Sequence, residues 1–252
     1  MIKFFTVPKI VLIISLPLLI LLTNLYIVTS SRWLNYEYPK LFSLPAEYHY
    51  FTNSQRLEFA EATLRFICSD EDPDFLRSLR VEGLPIYSER EISHLLEVKN
   101  LIQRLFDIRL IVFIASLLSI LILLLNREYR QKIPLYVQKG CLLLVLLVGV
   151  LLITVLINWN KLFLHLHCIF FPQGNYTFPY SFTIIQLFPP GFWFNTALLG
   201  LILALTETGI LAGCMFWIRK KIKVKGSIDK MENLNSGNKQ KKRLKKSYLK
   251  ML

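Results

Sequence analysis

The chain has 252 residues, 54% of them hydrophobic, and a mean hydropathy of +0.44. Its apolar residues gather into charge-free runs of bilayer length, which excludes an ordinary water-soluble domain of this size. The net charge of +13 lies mostly at one end, since residues 219–252 hold 13 Lys and Arg against only Asp229 and Glu232. A basic cluster directly after an apolar span fits a cytoplasmic flank facing anionic lipid and argues against a nucleic-acid partner.

Residues 1–28 form a short cytoplasmic start and a first transmembrane helix, with its apolar run from Ile10 to Val28 behind Lys3 and Lys9. That run is longer than the roughly 7 to 15 residues of a secretory signal and has no small-residue cleavage site, so it is expected to be retained. Residues 29–109 carry 10 basic and 13 acidic side chains, as suits an extracytoplasmic insert with its own structure. Within it Leu57, Ala60, Leu64 and Ile67 share a face, predicting a helix over Ser54–Ile67 capped by Ser54 with Gln55. Residues 68–87 are rich in Asp, Pro and Gly, and short strands are expected near Leu79–Val81 or Leu84–Tyr87.

The second span covers residues 110–125, and its helix is expected to begin earlier, near Ile92, because Leu95, Val98, Ile102, Leu105 and Phe106 recur at helical spacing. A loop over 126–140 carries Arg127, Arg130, Lys132 and Lys139 and leads to the third span at 141–157. Residues 158–196 hold only Lys161, the fourth span covers 197–218, and a basic tail over 219–252 is expected to be disordered from Gly226. The Lys and Arg asymmetry places both termini in the cytoplasm and makes 29–109 and 158–196 outer segments that face each other. The fold class is therefore an α-helical integral membrane protein with four transmembrane helices and an extracytoplasmic α+β insert between the first and second.

His49, His94, His165 and His167 all map to the outer side in this topology. His94 precedes Glu97 by three residues on a predicted helix, so the carboxylate can orient the ring or raise its pKa. His165 and His167 sit in an apolar stretch, Phe163 to Phe171, where i, i+2 spacing separates them on a helix and aligns them on a strand. No His-Glu-x-x-His or paired-cysteine motif accompanies them, so no metal site is expected. Cys141 and Cys214 fall in apolar spans, whereas Cys68 and Cys168 lie outside, which leaves a disulfide between them open. Glu207 is the one acidic residue inside a span, and it needs a partner or a proton there.

Gly83-Leu84-Pro85, Glu91 to Lys99, His167-Cys168-Ile169-Phe170-Phe171, Ile184 to Pro189 and Phe192-Trp193 together resemble the four-helix bacterial lipoprotein intramolecular transacylase family. The similarity concentrates in residues 83–105 and 163–193, and the order of spans matches along most of the chain. The resemblance implies an acyltransferase that moves the sn-2 acyl chain of a diacylglyceryl-modified N-terminal cysteine onto the cysteine's α-amino group, giving a lyso-form lipoprotein. It implies catalytic residues His94 and His167, and lipoprotein substrates and membrane lipids as partners. It further implies no metal or diffusible cofactor, and a monomer in a bacterial cytoplasmic membrane with its site at the outer leaflet. Glu97, where the family commonly has Asp, would support the site, and Phe170, Phe171 and Trp193 would bind the acyl chain or form an interfacial aromatic belt. The chain departs from the family at Tyr176, where Trp is common, and near Phe182 and Pro190, where acidic residues are common. The competing readings are a lipid hydrolase or acyltransferase using the same histidines on free glycerolipids, and a non-catalytic membrane scaffold or lipid-binding partner protein, whose histidines would lie far apart.

Overall fold

The computed structural model describes residues 2–41, 50–171, 174 and 176–248. Four of its helices are long and apolar enough to cross a membrane, within Phe4–Val28, Glu89–Leu124, Arg127–Phe170 and Pro190–Ile228. They belong to α1 (Ile2–Val28), α5 (Glu89–Leu124), α6 (Arg127–Phe170) and α8 (Pro190–Tyr248). Between α1 and α5 lie α2 (Ser31–Leu41), α3 (Asn53–Cys68), α4 (Pro73–Ser78) and a two-residue antiparallel pair, β1 (Arg80–Val81) with β2 (Leu84–Pro85). The short helix α7 (Thr183–Leu187) precedes α8.

The bundle is held by polar and close contacts as well as by apolar packing, because lipid gives helices little hydrophobic reason to associate. Ser116 donates to Ser15 at 2.7 Å and so joins α5 to α1. Asn24 of α1 donates to Glu207 of α8 at 3.3 Å, which gives the intramembrane carboxylate its partner. Gly140 of α6 lies so close to α1 that a Cβ there would sit 2.9 Å from the Leu16 side chain and 3.1 Å from the Ile13 carbonyl.

At ~1.5 Å per residue the 36 residues of α5 extend about 54 Å, well beyond a hydrocarbon core of about 30 Å. Its first turns therefore stand clear of the apolar layer and carry His94. The 44-residue α6 is also too long for one crossing, and it kinks at Asn158 (φ −158°, ψ 82°), just past the apolar run. There the Asn158 side chain accepts the Lys161 N–H at 2.9 Å, so the last part of α6 begins as a separately capped helix. Replacing Asn158 with Ala removes that cap and is expected to lower stability by about 1 kcal/mol. Thermal unfolding of the detergent-solubilised protein measures this.

The segment after α6 and the insert after α1 share one core. Trp33, Tyr38, Phe59, Phe66, Leu76 and Leu95 pack with Ile184, Leu187, Phe188 and Phe192. Polar contacts fix the registry: Tyr38 donates to the Leu187 carbonyl at 2.8 Å, Arg56 to the Gln186 carbonyl at 3.0 Å, and Trp33 to Thr196 at 2.9 Å. The two segments expected to face each other do so.

Local chemistry moves several expected boundaries. Thr52, not Ser54, caps α3, because Gln55 stands three residues later and completes a reciprocal capping box. Residues 127–140, expected as loop, are helical, since Asn126 accepts from the N–H groups of Glu128 and Tyr129 and starts α6 there. The tail expected to be disordered from Gly226 continues α8 as helix to Tyr248. Extending an existing helix avoids the nucleation penalty, and lysine is a good helix former.

Candidate active site

Ser88 caps α5 and accepts from the Glu91 N–H, and the Glu91 side chain returns to Ser88, so the first turn of this helix is closed on itself. One turn later His94 points inward and is 4% exposed. His167 lies in the last turn of α6, half-buried, on the face that also carries Phe163 and Phe171. The two rings come from helices far apart in sequence, yet their centroids are 6.3 Å apart with planes at 28°. That is nearly twice the ~3.5 Å contact distance between carbon atoms, so one planar ester group can touch both.

Aromatic rings enclose the pair. Phe171 lies 5.0 Å from His94 and 5.5 Å from His167, Phe178 lies 5.5 Å from His94, and Phe163 and Tyr176 lie 4.0 and 5.4 Å from His167. The polar settings of the two histidines differ. His167 Nδ1 is 2.8 Å from the Phe163 carbonyl, which only accepts, so Nδ1 carries the proton and Nε2 of the neutral ring presents a lone pair. His167 lies beyond the kink, outside the apolar run of α6, and burial pulls its pKa below the ordinary histidine value while the Phe163 carbonyl partly offsets this. His94 instead has a carboxylate beside it, with Glu97 Oε2 at 3.8 Å from its Nδ1.

Of the other expected residues, Phe171 touches both histidines, and Trp193 reaches the site through Phe163 at 6.4 Å. Phe170 is 48% exposed, one position off the site face of α6. His165 is also exposed, with Nδ1 2.7 Å from the Lys161 carbonyl, because helical geometry turns i, i+2 residues apart. His49 lies outside the described residues. Cys68 and Cys168 are free thiols with different neighbours, the Thr29 carbonyl and the Tyr176 hydroxyl. Phe178 was not expected at the site, since it stands in a non-periodic stretch with no helical or strand pattern to place it.

The fold and site define a polytopic helical membrane protein that brings two histidines from different helices into a buried aromatic pocket. The chain belongs to the lipoprotein intramolecular transacylase (Lit) family, whose profile matches residues 10–193. Its fold is similar to a structure of the membrane-integral lipoprotein intramolecular transacylase Lit from Bacillus cereus, with a TM-score of 0.76 and 18% identity over 89% of this chain and all of that one. A second structure of that protein, with one histidine replaced, aligns with a TM-score of 0.70 and 17% identity over 88% of this chain and 95% of that one. An uncharacterized protein of Aquifex aeolicus is 26% identical over 197 residues, 78% of this chain and 87% of the relative.

Proposed function

We propose that this protein transfers the sn-2 acyl chain of a diacylglyceryl-modified N-terminal cysteine to the α-amino group of the same cysteine, with His94 and His167 as the catalytic residues. The observation that carries the reading is the approach of the two rings to 6.3 Å in an aromatic pocket, in a member of a transacylase family. A scaffold gives no reason for that approach.

The two settings divide the work. His167 Nε2 takes a proton from the α-amino group as its nitrogen bonds to the sn-2 carbonyl carbon. His94, with Glu97 beside it, donates a hydrogen bond to the tetrahedral oxyanion and then its proton to the sn-2 oxygen as the C–O bond breaks. The amide forms, the sn-2 hydroxyl is freed, and return of the proton from His167 to His94 restores both rings, so that one proton has moved from nitrogen to oxygen overall. Phe171, Phe163 and Trp193 supply apolar surface for the acyl chain, with Phe170 at its lipid-facing margin. The site stands at the outer leaflet, with both termini cytoplasmic and one chain sufficient.

Glu97→Gln keeps the side-chain shape and removes the charge beside His94. It is expected to lower turnover about tenfold, equivalent to about 1.4 kcal/mol of lost transition-state stabilisation. Initial rates on a synthetic diacylglyceryl-cysteine peptide measure this. The function itself is tested by expressing the protein in a bacterium lacking lipoprotein N-acylation and fragmenting the N-terminal lipopeptides by mass spectrometry. An N-acyl, monoacylglyceryl cysteine is expected; an unchanged diacylglyceryl form from well-expressed protein contradicts the reading.

A further inference from the structure

The carboxylate of Glu91 is 2% exposed and is satisfied by neutral donors from two distant parts of the chain. Oε2 accepts from the backbone N–H and the hydroxyl of Ser88, both at 2.8 Å, and Oε1 accepts from the Ile184 N–H at 3.0 Å. A helix cap uses only the first of these oxygens. The second ties α7 to the start of α5, one turn from His94. Two further contacts secure the same segment: the Thr183 hydroxyl donates to the Ile86 carbonyl, and Arg90 donates to the Thr177 carbonyl at 2.8 Å. The Arg90 guanidinium also lies 4.9 Å above the Phe178 ring, which packs on His94 on one side and on Phe182, 5.5 Å away, on the other.

We propose that Glu91 is a positioning residue that, with Arg90, clamps the 177–187 strap to the start of α5, so that Phe178 walls water off from the acyl group in transit. This rests on the acyl-transfer reading above. A site that activates an ester toward an amine activates it toward water as well, and hydrolysis would add water across the same C–O bond, releasing a free fatty acid and leaving the amine unacylated. A reaction that must end in N-acylation needs the strap closed at the moment of transfer. An acid suits the clamp better than an amide. Glutamine has one acceptor oxygen, so it can cap Ser88 or hold Ile184, and its NH2 then faces an N–H donor.

The test uses the full-length protein with a diacylglyceryl-cysteine peptide carrying an isotope-labelled sn-2 chain, and measures the ratio of labelled fatty acid to labelled N-acyl product. Glu91→Gln is expected to raise that ratio about tenfold, the scale of one lost hydrogen bond to a buried charged group. Arg90→Gln acts from an exposed position that does not endanger folding, and it should raise the ratio by a smaller factor. If Glu91→Gln fails to fold, Arg90→Gln decides alone. A wild-type ratio in the folded variants, even with slower turnover, overturns the clamp and leaves the acyl-transfer reading intact. Absence of N-acyl product from the wild type overturns the acyl-transfer reading, and the clamp with it.

Discussion

Replacing either His94 or His167 with alanine is expected to lower N-acylation by about 10²- to 10⁴-fold, the usual contribution of a positioned acid or base. The two losses should not add, because proton removal from nitrogen and proton delivery to oxygen serve one transition state. The double variant should therefore fall little below either single one. Neither ring is a large fraction of the outer core, so the variants should retain the wild-type helical content. His165→Ala, two residues from His167 in sequence but turned outward on α6, should leave the rate unchanged. Because burial lowers the pKa of His167, this ring stays neutral further into acid than an ordinary histidine, as the proposed base requires. The acid limb of the rate profile should accordingly lie below the reference of about 6.5 and should be altered in the His167 variant. Initial rates with purified protein across a pH series measure both effects.

Replacing Gly140 with Val is expected to cost about 1 to 3 kcal/mol, the typical price of overpacking a tight interior. Even a single Cβ at this position would approach the Ile13 carbonyl to 3.1 Å and the Leu16 side chain to 2.9 Å. The leucine end can rotate, but the carbonyl belongs to the α1 backbone and moves only with the helix. Valine adds two methyl groups to the same space and holds them stiffly at χ1. The helices must separate, and the Tyr136, Val137 and Cys141 cluster against Leu12 and Leu123 loses its fit. Ala at position 140 should fall between Gly and Val. Thermal unfolding in one detergent, compared across the three side chains, gives the order directly. An increase in stability for Val would show that the crossing is looser than the Gly140 distances require.

The spans were legible because each rests on a strong local signal, whereas the pairing of His94 with His167 came from the family resemblance and not from spacing. Apolar runs of bilayer length have few soluble explanations. The segment around Glu91 to Lys99 also reads as helix from its spacing alone, and it begins at Glu89 where Ser88 caps it. What escaped the sequence depends on contacts between distant residues. Phe178 lies against His94 in a strap that Arg90 and Glu91 touch from α5, and no periodicity in that strap records these contacts. Phe170 and Phe171 are chemically alike and adjacent, and only the helical phase of α6 separates the residue on the histidine face from the residue turned outward. The cap of α3 moved to Thr52 because a capping box is read from both of its ends, Thr52 and Gln55.

If the two histidines move an acyl chain within a single substrate molecule, acyl groups cannot cross between molecules, and a crossover experiment reads that difference. Two diacylglyceryl-cysteine peptides of different mass, one with a deuterated sn-2 chain and the other unlabelled, are mixed with the purified protein and their N-acyl products are analysed by mass spectrometry. Each peptide is expected to keep its own label, and product formation is expected to fall by at least about 100-fold with the His94→Ala or His167→Ala variant. Labels exchanged between the peptides, or transfer that survives loss of both histidines, would contradict that expectation.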